Sequence, residues 1–357
     1  MVRMKRLTPR ERILAVLKGE QCDRVPFVQY DNLAADNNAI WDKIGRQSMG
    51  VLRWLTTYRI EHPNCATATE PLAREGLAGV RTTIATPRGI LVQESYQEPT
   101  YGTSSIRKHF VTAAQDYDAL LYYLQDAVIS EDLTDFHRAQ RELGENGLPL
   151  VRVERTPYQQ LWVQWTGIEN LALHLFDVPE RVQDCIVALS DQARQIFKLV
   201  ARQPIDIVNF PDNITAPVIG ESNFRRYCLP LYAELNAMLA GEGKPIFVHM
   251  DGDLKPLWQA IGESAVGGLD SFSPPPDNDT SAAQAVSMWP QMRIFLNFPS
   301  SVHLGSKREI YRQTCTILEE AGHSNRLQIQ ISENVPPGVW QKSFPQIVKA
   351  IADFGQP

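Results

Sequence analysis

The second half of the chain repeats one unit, a short apolar run followed by a helix-length amphipathic stretch, and this repetition narrows the possible folds more than any other feature. Runs at 148–153, 205–210, 245–248, 268–272, 293–296 and 327–331 read as strands. Helical patterns follow at 159–176, 178–202, 222–241, 254–264, 280–288, 306–321 and 344–354. Strands joined through helices run parallel, because a tight turn joins only antiparallel neighbours. A parallel sheet is either open and doubly wound or closed into a barrel. No Gly-x-Gly-x-x-Gly and no Walker loop follows any of these strands, which disfavours a nucleotide-binding doubly wound sheet. A (β/α)8 TIM barrel is the expected α/β fold.

The first half supplies additions to that barrel. Thr8-Pro9-Arg10-Glu11 opens a helix, with Thr8 as N-cap, Pro9 at the first position and Glu11 completing a capping box; the helix reaches Lys18 and stops at Gly19. A strand is expected at 25–28, then loop and helix over 31–65. Alternation over 79–96 around Thr86-Pro87-Arg88-Gly89 predicts a hairpin. Helices are expected at 112–127 and 131–141. No stretch rich in Pro, Gly or Ser divides the chain, so residues 1–357 are expected to form one barrel domain.

Composition excludes several classes of function. With 43% hydrophobic and 21% charged residues, the chain is an ordinary globular one. A net charge of −6 without a basic tract gives no footprint for a nucleic acid. No apolar run approaches the roughly 20 residues of a membrane span, and the basic opening MVRMKRLTPRER lacks the apolar core of a signal peptide. A cytoplasmic protein acting on a small molecule is expected. The five cysteines are scattered without a Cys-x-x-Cys pair, which points to reduced thiols and away from a cysteine-built zinc site.

Barrel enzymes carry their sites at the C-terminal strand ends. Those ends hold Glu154, Asp212 with Asn213, His249 with Asp251, Asp270, Asn297, and Glu333 with Asn334. Polar loops are ordinary, and Asp212, Asp270 and Asn297 also suit caps or turns. The recurrence of acid, amide or imidazole after successive strands is what marks a site. The strongest stretch is KPIFVHMDGD, 244–253, where ionisable side chains crowd the end of a buried strand. Met250 separates His249 from Asp251, so in an extended chain both point the same way. Two uses fit. His249, Asp251 and Glu333 suit a divalent metal held by imidazole and carboxylate, zinc among the candidates. Alternatively, His249, Asp212 and Glu333 serve as catalytic acid–base groups, with Glu154, Asn213, Asn297 and Asp270 binding substrate. A non-catalytic ligand-binding barrel is the third reading. No Gly-x-Ser-x-Gly elbow is present. Trp162, Trp165, Trp258 and Trp340 suit an aromatic pocket or the core.

Several motifs carry a family resemblance. They are Thr8-Pro-Arg-Glu-Arg-Ile-Leu-Ala-Val-Leu-Lys-Gly-Glu, then Asp23-Arg-Val-Pro, Thr86-Pro-Arg-Gly, Gly167-Ile-Glu-Asn, Asp177-Val-Pro-Glu, Asp212-Asn and Gly243-Lys-Pro-Ile-Phe-Val-His-Met-Asp-Gly. In this order they resemble the uroporphyrinogen decarboxylase superfamily, which includes heme-pathway decarboxylases and methyltransferases that use corrinoid or coenzyme M. The resemblance implies a (β/α)8 barrel, a cleft at its C-terminal face and a homodimer. The decarboxylases grip substrate carboxylates with an Arg-Gln-Ala-Gly-Arg-Tyr motif; the corresponding region here is Val28-Gln-Tyr-Asp-Asn, without an arginine pair. The methyltransferases hold zinc with His-x-Cys and a later cysteine. His249 matches that histidine, Asp251 stands for the first cysteine, and Ser332-Glu333-Asn334 lies near the place of the second. The resemblance thus implies a metal-assisted methyltransferase or demethylase with a corrinoid partner, or else a cofactor-free decarboxylase acting on a porphyrinogen or smaller acid.

Overall fold

A computed structural model describes residues 6–99, 103–239 and 241–355. The start of the basic N-terminal stretch and residue 240 of the helical pattern at 222–241 lie outside them. The chain groups into two compact units. One comprises the chain up to Thr56, Leu133–Arg152 and the chain from Pro204 onward; the other comprises Thr57–Asp132 and Val153–Gln203.

The first unit is the expected barrel. Its strands are β1 (Phe27–Tyr30), β2 (Gly50–Leu55), β3 (Gly147–Arg152), β4 (Val208–Phe210), β5 (Ile246–His249), β6 (Gly268–Phe272), β7 (Arg293–Asn297) and β8 (Leu327–Ile331). Each pairs in parallel with its neighbour in the chain, and β8 closes on β1. The sequence expectation for 31–65 needs correction. A helix does form at Asn37–Ile44, but Gly50–Leu55 is a barrel strand. Gly-Val-Leu-Arg-Trp-Leu lacks the strict alternation or flanking turn signals that announce a strand. Strand β1 also lies two residues later than expected, and the expected helix at 131–141 begins at Thr134 after a strand, Val128–Glu131.

Helix Pro9–Lys18 has the expected capping box, and Gly19 ends it at φ 69°. Its Ile13, Val16 and Leu17 form one buried cluster with Val28, Leu52, Leu148, Leu150, Phe247 and Phe295 of the strands. The lower part of the barrel is therefore filled with apolar side chains, as the hydrophobic effect requires of a closed sheet. The strands also bury polar side chains, Gln29, Asn209, Asp270, Gln328 and Gln330.

The second unit carries a four-stranded antiparallel sheet, Ala66–Arg74, Leu77–Thr86, Gly89–Gln97 and Ser104–Lys108. Thr86 pairs with Gly89 across the predicted turn. Helices Asp116–Gln125 and Pro179–Val200 supply its buried Leu120, Leu124, Leu189 and Phe197. No helix among the described residues is long and apolar enough to cross a membrane.

One buried histidine in the barrel unit predicts a pH response. His303 is fully buried; its Nδ1 lies 2.8 Å from Ser343 Oγ, and its ring packs on Phe298 and Phe344. Burial drives its pKa down to about 4. Between pH 6.5 and 4 the unfolded chain takes up a proton that the folded chain refuses, so this site's contribution to stability falls as pH drops through that window, by about 3 kcal/mol in all. Denaturant midpoints measured from pH 7.5 to 4.5 should show this loss. His303→Gln should flatten that part of the curve, and an unchanged slope would refute the assignment.

Candidate functional site

The polar side chains of the barrel unit converge on His249, the last residue of β5. Its ring is 6% exposed and lies edge-on to Trp54 of β2, at 5.9 Å and 88°. Three carboxylates surround it. Nε2 lies 3.1 Å from Glu333 Oε1 and 3.7 Å from Asp251 Oδ2, and Nδ1 lies 3.4 Å from Asp270 Oδ2. The Nδ1 contact is at ion-pair distance but off the line of a hydrogen bond, so that nitrogen has no aligned acceptor. Burial alone lowers the imidazole's pKa, but Asp251, Asp270 and Glu333 outweigh it and raise that pKa well above the ordinary range. Burial pushes Asp251 up in turn, while its contacts with His249 prevail and hold it below the usual carboxylate value.

Exposure is graded across the cluster. Asp270 is fully buried, whereas the Asp251 and Glu333 side chains are 25% and 33% exposed. The open side is therefore the one bounded by Asp251, Glu333 and Nε2.

Each carboxylate is held by the elements around it. Asp270 of β6 accepts from Tyr30 Oη of β1 at 2.5 Å, from Asn209 Nδ2 of β4 at 2.9 Å and, on its other oxygen, from Gln330 Nε2 of β8 at 2.9 Å. Burial and the adjacent Asp270 push the Tyr30 phenol well above its ordinary pKa, so it stays a donor. Asp251 lies in the loop after β5, which lies against the loop after β4. The Ile214 N–H donates to His249 O and the Gly252 N–H to Ile214 O, and Asn213 Nδ2 lies 3.4 Å from Asp251 Oδ2. Gly252 is required there, since a Cβ would meet the Thr215 Cβ at 2.2 Å. Glu333 follows β8; Asn297 Oδ1 accepts from the N–H groups of Ser332 and Glu333, and Ser271 Oγ donates to Glu333 Oε1 at 2.6 Å.

Of the residues singled out in the sequence, His249, Asp251, Asp270 and Glu333 therefore meet in one cluster, with Asn213 and Asn297 bracing it. Asp212 is fully buried and accepts a hydrogen bond from Tyr232 of helix Leu229–Leu239. Glu154 belongs to the second unit, where it accepts from Tyr58 Oη at 2.8 Å. The Val28-Gln-Tyr-Asp-Asn segment braces itself: Gln29 Nε2 donates to Asn37 Oδ1, and Asp31 pairs with Arg53. Its Tyr30 alone bonds to the cluster's carboxylates.

Trp54, Asn209, Ser271 and Gln330 are not among the candidate site residues of the sequence, and Tyr30 enters there only within the Val28-Gln-Tyr-Asp-Asn segment. One signal was there for Gln330. Leu-Gln-Ile-Gln-Ile alternates, and with Leu327, Ile329 and Ile331 on one face, Gln328 and Gln330 take the other. Nothing comparable marks Tyr30, Trp54 or Ser271.

Similarity to known proteins agrees with this architecture. The methyltransferase from Methanosarcina mazei has a similar structure, with a TM-score of 0.60 at 12% identity over 98% of this chain and 100% of that one. At that identity the likeness shows the fold alone. A B12-independent methionine synthase from Shewanella sp. W3-18-1, in complex with selenomethionine, gives a TM-score of 0.40 at 8% identity over 88% of this chain and 86% of its own, too slight to bear on fold or function. No curated protein matches the chain. The family model for uroporphyrinogen decarboxylase (URO-D) matches residues 162–354, a span that takes in β4 to β8 and with them His249, Asp251, Asp270 and Glu333. The chain belongs to the uroporphyrinogen decarboxylase (URO-D) family.

Proposed function

We propose that this protein is a metal-assisted methyl-transferring or demethylating enzyme whose divalent ion is held by His249, Asp251 and Glu333. The spacing of the ligand atoms is the observation that carries the reading. One atom from each residue lies within 4.8 Å of the others. Two tetrahedral ligands at about 2.1 Å from an ion stand about 3.4 Å apart, and the distances from Nε2 to Glu333 and Asp251, 3.1 and 3.7 Å, straddle that value. One imidazole and two carboxylates form a harder set than thiolates and suit zinc or another hard-to-borderline ion. Asp270 stands beside Nδ1, where the ligating histidines of metal sites meet an orienting carboxylate.

A bound ion would act as a Lewis acid towards a thiol, ether or amine. The residues would do the rest: Asp251 and Glu333 balance its charge, Asp270 backs the imidazole with a negative charge beside Nδ1, and Trp54 walls the ring. A corrinoid-carrying protein would be the methyl donor or acceptor. The chain purified without added metal and then dialysed against zinc is expected to hold about one ion per molecule. Zinc-free protein after dialysis would sink the reading.

The raised pKa of His249 favours a second reading, a cofactor-free decarboxylase. Loss of carbon dioxide leaves a carbanion, and the imidazolium would supply the proton that quenches it. Anaerobic incubation with uroporphyrinogen distinguishes the two, since loss of substrate carboxylates in metal-free protein would favour the decarboxylase.

A further inference from the structure

We propose that Ser271 is a positioning residue for Glu333, and that the left-handed kink in β6 is what brings its hydroxyl there; this rests on the ion-binding reading above. In a regular strand, consecutive side chains point to opposite faces. With Asp270 turned towards His249, Ser271 would turn away from the cluster. Instead, the register of β6 against β7 shifts between Leu269 and Phe272, and Ser271 sits at φ 58°, a conformation side chains other than glycine's seldom adopt. Asp270 and Ser271 consequently both serve one site. Asp270 stands by Nδ1 of the imidazole, and Ser271 Oγ reaches Glu333 Oε1 at 2.6 Å and Ser332 Oγ at 2.8 Å.

Backbone strain of this kind persists only where the surroundings enforce it, and it concentrates at functional sites. Ser271 is fully buried, so its hydroxyl serves the protein rather than solvent. A hydroxyl has one proton to donate, and here it goes to Glu333. The oxygen that accepts it, Oε1, is also the one 3.1 Å from His249 Nε2. Asn297 secures Glu333 at its backbone N–H, and Ser271 at its carboxylate. Without the hydroxyl, a side chain that is one-third exposed keeps its anchor and loses the contact that selects its orientation.

Orienting partners of this kind are worth about 10- to 100-fold in ion affinity. The test is titration of the metal-free full chain with Co2+ alone, followed by calorimetry and visible absorption. Ser271→Gly removes the hydroxyl while suiting the positive φ, and Ser271→Ala removes it while keeping the strain. Both variants are expected to bind Co2+ about 10- to 100-fold more weakly than the parent, with an altered visible spectrum, although Ser271→Gly melts no lower. If Ser271→Gly binds as tightly as the parent, with an unchanged spectrum, while Glu333→Gln binds weakly, the role of Ser271 is overturned and the ion site stands. Weakening confined to variants with lowered melting temperatures also overturns it. If the parent binds no Co2+, the ion-binding reading fails and this proposal with it.

Discussion

His249→Ala is expected to abolish stoichiometric binding of a divalent ion. The imidazole is the one nitrogen donor in the proposed set, and it is flanked by Trp54 against its ring and Asp270 beside its Nδ1. Its removal leaves Asp251 and Glu333, which are partly exposed and belong to different loops. The loss of affinity should exceed the roughly 10- to 100-fold that follows removal of an outer partner alone. Equilibrium dialysis against zinc, with bound metal measured per chain, reads the result directly. Retention of about one ion per chain by a folded His249→Ala variant would rule out this ligand set.

The second large effect lies at Asp270. This carboxylate is fully buried and accepts from Tyr30, Asn209 and Gln330, which stand on three other strands. Asp270→Ala strands those donors inside the barrel and removes the counter-charge of His249. Breaking a buried charge cluster by deleting one partner costs about 3 to 5 kcal/mol. Asp270→Asn keeps the volume and one acceptor oxygen, so its cost should be nearer 1 to 2 kcal/mol. Guanidinium unfolding of the metal-free protein measures both, and a loss under about 1 kcal/mol for Asp270→Ala would mean that the network contributes little. Both variants should also bind the ion more weakly, because each removes the negative charge that stands 3.4 Å from Nδ1 behind the ligating imidazole.

The two predictions differ in how far the sequence foretold them. His249, Asp251 and Glu333 stand out in the one-dimensional chain because ionisable residues directly after apolar runs are rare, and because His-x-Asp at a strand end puts two side chains on one face. The supporting set does not stand out. Tyr30 and Trp54 read as ordinary apolar positions, and Trp54 lies on a strand that the pattern missed. Asn209 is a polar residue inside a short buried strand, and its significance appears only when β4 and β6 stand two strands apart, on either side of β5 and its His249, with Asn209 Nδ2 reaching Asp270. Gln330 was legible in principle through the alternation of β8.

Local chemistry alone determines the helix from Pro9 to Lys18, with its capping box and terminal Gly19, and the hairpin at Thr86–Gly89. It also determines the parallel strand–helix order that makes a barrel the natural closure. These depend on hydrogen bonds and side-chain periods within a few residues. Tertiary structure decided which polar groups meet. Asp270 and Ser271 are neighbours in sequence and would face opposite ways on any regular strand; only the shifted register and the left-handed turn of Ser271 bring both into one site. That shift depends on what β6 packs against on either side, and no window of sequence contains it.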